Sequence, residues 1–220
     1  CIVIHRMNER RVGQLTCAGV KVEFTDDFNF VTAKDVEGYL NKGYGSYIGQ
    51  RLDSVDLRKV ESVLDNKSAI LKAEAYTTPD GYLNVRIRQR EPVVRFQKDN
   101  NGYYADEKGF LFPLQRNYTS MVPIIDGALP LNVERGYKGE PKTKDSGIWA
   151  ENISQITVRG DSDLVMIPRR GKERFIFGPP VDFEAKFDRI SRYYTSILPL
   201  KGVGYTTVNV KYNGQIVCRK

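Results

Sequence analysis

Residues 69–90 of this chain have the sequence AILKAEAYTTPDGYLNVRIRQR. From Tyr82 to Arg90, apolar and polar residues alternate, which is the period-two pattern of a half-buried strand. Thr78-Pro79-Asp80-Gly81 interrupts this pattern and places proline at the second position of a type I turn and glycine at the last. The stretch therefore predicts a hairpin whose strands are Ala69–Thr77 and Tyr82–Arg90.

Three further elements are predicted ahead of this hairpin. Val20–Phe24 alternates apolar and polar residues like a strand. A helix is expected to begin at Thr32, in a capping-box-like sequence, and to end at Gly43, and a second helix is expected to begin near Asp53 or Asp56. The order strand, helix, helix, strand, strand predicts a three-stranded sheet with two helices covering one face.

The sequence changes character after residue 90. Short apolar strings alternate with turn signals, which predicts a meander of antiparallel hairpins. Residues 132–149 are polar and lack periodicity, which predicts a loop. One helix is expected to begin at Asp182 and to end at Pro199. The chain is then expected to close with a hairpin in which a two-residue Asn213-Gly214 turn joins Tyr205–Tyr212 to Gln215–Arg219. We therefore expect an α+β protein, with a β-α-α-β-β module followed by a mostly antiparallel β domain that has one helix in its C-terminal half.

The composition argues against most catalytic and metal chemistry. The 220 residues include one histidine, His5, and three cysteines, Cys1, Cys17 and Cys218, which lie far apart in the sequence. Neither a catalytic triad nor a zinc site has its usual residues here. The excess of 34 Lys+Arg over 27 Asp+Glu gives a net charge of +7, which is compatible with acidic proteins, nucleic acid or an anionic membrane surface. We expect no enzyme activity, no cofactor and no metal ion.

Three charged segments have an alternative interpretation as binding sites. Arg86-Arg88-Arg90 and the group Arg169-Arg170-Lys172-Arg174 are basic, but they are not interleaved with the exposed aromatic residues that single-stranded nucleic acid requires. Asp161-Ser162-Asp163 lacks the regular oxygen ligands of a calcium loop. Solvated faces and a hairpin turn are the simpler interpretations, and nucleic acid is not an expected partner.

The apolar segment Cys1-Ile2-Val3-Ile4 is followed by polar and basic residues. This junction predicts the end of a removed transmembrane helix and its polar stalk. Two alternatives stay open, namely a fraying terminus with a chance apolar tetrad and a lipoprotein with a lipidated Cys1. No later stretch approaches the length of a membrane span.

Several phrases of the sequence resemble one family. They are Arg88–Val93 (RQREPV), Tyr104–Pro113 (YADEKGFLFP), Val122–Gly127 (VPIIDG), Phe175–Gly178 (FIFG) and Val208–Gln215 (VNVKYNGQ). On these phrases, residues 20–220 apart from the loop resemble the bacterial cell division proteins FtsQ and DivIB, and the C-terminus most resembles the form found in Bacteroidetes.

The sequence also departs from that family's pattern. Family members commonly have a helix ahead of the strand that corresponds to Ile153–Ile156, but residues 132–149 show no helical stripe. Asn209 and Lys211 stand where aspartate and arginine are more usual. Contacts that depend on those two charges are therefore not carried over.

The resemblance implies a non-catalytic scaffold of the divisome in septum formation. It would be a single-pass protein of the inner (cytoplasmic) membrane with a periplasmic soluble part. The implied domains are a juxtamembrane segment after a missing transmembrane helix at 1–19, a POTRA domain at 20–90 and a β domain at 91–220.

The implied partners are FtsB/FtsL (DivIC)-like division proteins, which would add a strand to a C-terminal edge strand, and other divisome membrane proteins, which would bind the POTRA module. A final strand after an Asn-Gly turn is also expected at a sheet edge on physical grounds. Lys211 would offer a charge to an acidic partner. The candidate partner-binding residues are Lys211, Tyr212, Gly214, Gln215, Ile216, Val217, Cys218 and Arg219.

Two other function classes are compatible with the sequence. A POTRA-type chaperone or secretion module would bind client polypeptides by strand addition, and promiscuous peptide binding would favour it. An enzyme would require a pocket with convergent carboxylates of perturbed pKa.

Overall fold

The structure is a computed structural model that describes residues 15–98, 101–116, 118–129, 152–201 and 204–220. The chain divides into two compact units. The first comprises the described part of Cys1–Glu91 together with Gln115–Thr119, and the second comprises that of Pro92–Leu114 and Ser120–Lys220. The loop predicted at 132–149 and the segment 1–14 lie outside the described residues.

The first unit contains the predicted strand, helix, helix, strand, strand order. Its elements are β1 (Gly19–Phe24), α1 (Ala33–Gly43), α2 (Leu57–Asp65), β2 (Ile70–Thr77) and β3 (Tyr82–Gln89). The sheet order is β1-β3-β2, with β1 parallel and β2 antiparallel to the central strand. The POTRA-like arrangement expected from the sequence is confirmed.

Local hydrogen bonds explain where the two helices begin. Thr32 and Asp35 form a reciprocal capping box, in which the Asp35 N–H donates to Thr32 Oγ1 (3.2 Å) and the Thr32 N–H donates to Asp35 Oδ2 (2.9 Å). Asp56 caps α2 by accepting from the Lys59 N–H at 3.0 Å. Asp53 instead pairs with Arg51.

The core of the first unit lies between the two helices and the sheet. The buried apolar residues of the two helices and β3 include Val36, Leu40, Val60, Leu64, Leu83, Val85 and Ile87.

A buried glutamine ties the loop after β1 to the end of β3. Gln89 Oε1 accepts from the Val31 N–H (2.9 Å), and Gln89 Nε2 donates to Asp26 Oδ1 (2.8 Å) and to the Phe28 carbonyl (2.5 Å). The Gln89 N–H also donates to Asp26 Oδ2 at 2.7 Å. The glutamine of the RQREPV phrase therefore satisfies backbone groups that no regular secondary structure would satisfy.

The β2–β3 turn should make the first unit less stable at low pH. Hydrogen bonds from Lys21 Nζ (2.6 Å) and from the Thr78 hydroxyl lower the pKa of Asp80 to about 2 from its ordinary 3.8. A lowered pKa stabilises the fold above the unfolded pKa, and this contribution disappears as the pH falls through 4 towards 2.

We expect the melting temperature of the first unit to fall less between pH 5 and pH 2 in Asp80→Asn than in the wild type, as measured by scanning calorimetry. Equal falls in the two proteins would contradict this assignment.

The second unit is built around one large mixed sheet. Its strands are β4 (Pro92–Lys98), β5 (Asn101–Asp106), β6 (Leu111–Pro113), β7 (Ile124–Gly127), β8 (Ile153–Val158), β9 (Leu164–Pro168), β10 (Arg174–Gly178), β11 (Thr207–Asn209) and β12 (Val217–Arg219). The order of the nine described strands is β12-β11-β10-β9-β8-β7-β4-β5-β6. The expected mostly antiparallel β domain is confirmed.

The sheet is not the simple meander that the strand spacing predicts. The pairs β4–β7, β7–β8 and β10–β11 are parallel. β7 lies between β4 and β8 and does not pair with β6, which precedes it in the chain. Turn signals show where the chain bends, but they do not show which strand a new strand joins.

One helical segment packs on this sheet, in the C-terminal half as expected. It consists of α3 (Phe183–Arg192), a π-helical turn (Tyr193–Ile197) and α4 (Leu198–Lys201). The expectation that Pro199 ends this helix is wrong. The Leu198 N–H bonds to the Tyr193 carbonyl, which shifts the bonding pattern by one residue just before the proline. The buried core includes Ile153, Met166, Phe175, Phe177, Ile190, Tyr193, Val208 and Val210.

Candidate partner-binding edge

β12 is the last strand at one end of the nine-stranded sheet. Within the described part of the chain it pairs with β11 alone, in an antiparallel manner, with Thr207 opposite Arg219 and Asn209 opposite Val217. Three of the candidate residues, Val217, Cys218 and Arg219, form this strand. The structure therefore has a sheet edge where the sequence predicts one.

The backbone of β12 has groups that face away from the sheet. The Arg219 carbonyl accepts from the Thr206 N–H at 2.9 Å and so faces β11. Because successive residues of a strand direct their backbone groups to opposite sides, the N–H and C=O of Cys218 face outward. The Cys218 side chain packs against the core on the α3 side, while Val217 is 39% exposed on the opposite face.

The other candidate residues lie in the connection before β12. Lys211, Tyr212, Gly214, Gln215 and Ile216 belong to Val210–Ile216, which joins β11 to β12. The expectation of a two-residue Asn-Gly hairpin is therefore wrong, because the strands pair over only three residues each.

Three hydrogen bonds hold the backbone that follows β11. The Val210 N–H donates to the Ile176 carbonyl (3.0 Å), and Arg189 Nε donates to the Val210 carbonyl (3.0 Å). The Lys211 N–H donates to Asn209 Oδ1 at 2.9 Å. Val210 therefore continues the side of β11 that faces β10. The Lys211 N–H, the next donor on the side that faces β12, is bound to its own turn and is not available to β12.

Lys211 also forms an ion pair within the chain. Its Nζ lies 2.6 Å from Asp163 Oδ2, and the two side chains are 33% and 8% exposed, respectively. This hydrogen bond raises the pKa of Lys211. Lys211 therefore anchors the connection to the β8–β9 turn and is not the free rim charge that the sequence suggested. Tyr212, by contrast, is 51% exposed.

Two buried cations beside this connection were not identified from the sequence. Lys186 Nζ donates to the Pro179 carbonyl (2.7 Å) and lies 4.9 Å from the centre of the Phe177 ring. Burial lowers the pKa of Lys186. Lys186 and Arg189 are one helical turn apart and adjoin the apolar stripe of α3. This spacing is the feature of the sequence that indicates their burial.

No helix in the described ranges is both long enough and apolar enough to cross a membrane. Among those same residues, no group of three His, Cys, Asp or Glu side chains lies close enough to hold a metal ion.

Comparison with known proteins identifies both parts of the chain. A POTRA-like domain model matches residues 15–88. The model described as FtsQ/DivIB, C-terminal related, matches residues 91–219, which is more than half of the chain. None of the curated proteins matches the chain. With a POTRA-like module followed by this matched β domain, the chain belongs to the FtsQ/DivIB, C-terminal related family.

Proposed function

We propose that this protein is a non-catalytic scaffold of the bacterial division machinery and that its second unit captures a partner by strand addition to β12. The single observation that carries the proposal is an edge strand with outward backbone groups in the matched domain. An edge of this kind can pair with an extended segment through main-chain hydrogen bonds. The proposed site comprises β12 together with the connection Lys211–Ile216.

The first unit provides a contrast, because one edge of its sheet is blocked. The Ala73 N–H of β2 donates to Asp65 Oδ1 (2.7 Å), and the Ala75 N–H donates to Glu61 Oε1 (2.9 Å). Both carboxylates belong to α2, so the helix occupies donors that an added strand would need. This arrangement weighs against a chaperone or secretion module that binds client strands at β2.

The opposite edge of the large sheet is also less suited to strand addition. Among the described strands β6 pairs with β5 alone, and it ends at Pro113, which has no N–H to donate. β12 has no proline, and no side chain in the described part of the chain is hydrogen-bonded to the Cys218 N–H. β12 is therefore the better candidate of the two edges.

The family supports a wider cellular proposal. The partners would be FtsB/FtsL (DivIC)-like proteins at β12 and other divisome membrane proteins at the POTRA-like unit. The two units would lie in the periplasm, anchored to the inner membrane by a helix that precedes the juxtamembrane segment at 1–19.

A proline at position 218 tests strand addition directly. Cys218→Pro removes the outward N–H, whereas Cys218→Ala keeps it and serves as the matched control. We expect the proline variant to bind the periplasmic segment of the FtsB/FtsL-like partner from the same cell at least about fivefold more weakly than the alanine variant, because a lost backbone bond costs about 1 kcal/mol. Biolayer interferometry on the full chain measures this difference.

Circular dichroism and thermal unfolding must first show that both variants are folded. Equal affinities of two folded variants would contradict the proposal. The Cys218 side chain packs against the core, so a substitution there also changes the packing. Hydrogen exchange of the Cys218 amide in the wild type provides a second measurement that needs no substitution. Partner binding should slow this exchange, and an unchanged exchange rate in the bound state would also contradict strand addition.

A further inference from the structure

Six exposed cations lie at one end of the large sheet. Arg174 and Arg219 are connected through Thr206, whose carbonyl accepts from the Arg174 N–H (2.9 Å) and whose N–H donates to the Arg219 carbonyl (2.9 Å). The β9–β10 turn contributes the next cations. We call Arg169, Arg170, Lys172, Arg174, Arg219 and Lys220 the basic end.

Among the described residues, no carboxylate forms an ion pair with a cation of the basic end. Glu173, the carboxylate of the β9–β10 turn, is buried and accepts from Tyr194 Oη (2.5 Å) and from the Lys172 N–H (2.9 Å). Glu173 therefore stabilises the β9–β10 turn through these two hydrogen bonds.

An exposed apolar side chain adjoins these charges. Arg169 Nη2 donates to the Met121 carbonyl at 3.1 Å, and the Met121 residue is 86% exposed. A polypeptide can supply both carboxylates and apolar groups.

The basic end is continuous with the proposed docking strand. β12 runs from Val217 to Arg219, and Arg219 is itself a member of the basic end. A strand added along β12 would emerge beside these cations on one side of its paired region. The residues of the partner that follow or precede the added strand would then meet several guanidinium groups, which bind carboxylates in bidentate fashion.

We propose that the basic end binds an acidic polypeptide segment that flanks the strand added to β12. This inference rests on the proposed function, since it specifies the chemistry of the same partner. The interaction supplies charge complementarity, which increases the association rate and selects the partner. Salt should weaken it strongly, because all six cations are exposed.

The test uses the full chain and fluorescein-labelled poly-L-glutamate as the acidic probe. One variant replaces Arg169, Arg170, Lys172 and Arg174 by Ala, which leaves β12 unchanged. The matched control replaces four exposed cations of the first unit by Ala, namely Lys34, Lys42, Arg58 and Arg88, and so has the same net charge.

We expect the basic-end variant to bind the probe about tenfold more weakly than the wild type at low salt, because several exposed pairs act together. The affinity of the control variant for the probe should stay within about twofold of that of the wild type. The association rate of the FtsB/FtsL-like partner should likewise be reduced more in the basic-end variant than in the control variant. Circular dichroism confirms that both variants are folded.

Equal losses in the two variants would overturn the proposal, because net charge alone would then explain binding. Stronger binding of the wild type to phosphatidylglycerol vesicles or to single-stranded DNA than to poly-L-glutamate would overturn it as well. Cys218→Pro separates the two proposals, since it should weaken partner binding and leave probe binding unchanged. If the wild-type chain does not bind the probe while Cys218→Pro still weakens partner binding, the acidic segment is refuted and strand addition is left intact.

Discussion

Replacing Gln89 by Leu is expected to lower the free energy of unfolding of the first unit by about 3 kcal/mol. The Val31 N–H and the Phe28 carbonyl would each lose their bond to the Gln89 amide. A buried polar group left without a partner costs about 1–3 kcal/mol, and leucine can satisfy neither group. Asp26 Oδ1 would also lose its bond from Gln89 Nε2.

Hydrogen exchange of the β3 amides in the full chain measures this loss separately from the second unit. Arg88→Ala is the matched control, because Arg88 is the exposed neighbour of Gln89 on the same strand. The free energy of unfolding of the Arg88→Ala variant should stay within about 0.5 kcal/mol of that of the wild type. Equal effects of the two substitutions would show that the glutamine network does not support the fold.

Replacing Gly127 by Ala is expected to destabilise the second unit by about 3 kcal/mol or more. Gly127 has a φ of +89°, a conformation that costs a residue with a Cβ about 1–2 kcal/mol. A Cβ there would also clash with the Val158 carbonyl oxygen. This oxygen belongs to the backbone of β8, so the contact can be relieved only by moving β7 and β8 apart, which adds to the cost.

Gly214→Ala separates the two causes. Gly214 has a φ of +71°, but no atom lies within 4 Å of the position of an added Cβ. Alanine there should cost only the conformational strain, about 1 kcal/mol. Hydrogen exchange of the β7 and β8 amides measures both variants, and a Gly127→Ala cost no larger than that of Gly214→Ala would exclude the backbone clash.

These two residues explain why short phrases of the sequence are informative. The RQREPV phrase contains Gln89, whose side-chain amide binds the Val31 N–H, 58 positions away in the chain. The VPIIDG phrase ends at Gly127, where β7 and β8 approach too closely for a side chain. Each phrase therefore carries a packing requirement of the fold.

The candidate edge was only partly predictable. A terminal strand after a turn signal indicated the edge at β12, and the structure has this strand at the end of the sheet. The Asn-Gly signal did not reveal that the Lys211 N–H bonds to Asn209 Oδ1 and is therefore not available to β12. It also did not reveal the pairing of Lys211 with Asp163, because nothing in the local sequence connects these two residues.

The sequence by itself determined the types and order of the secondary structure elements and the POTRA-like module. Alternation, helical stripes and caps such as Thr32 are local signals that act over a few residues. The tertiary structure alone decided that β7 lies between β4 and β8, that α2 blocks the β2 edge and that Lys211 is paired. Lys211 and Asp163 are 48 positions apart in the chain, and β4 and β7 are joined in parallel. Such contacts depend on how the folded chain brings distant segments together, and local signals do not encode them.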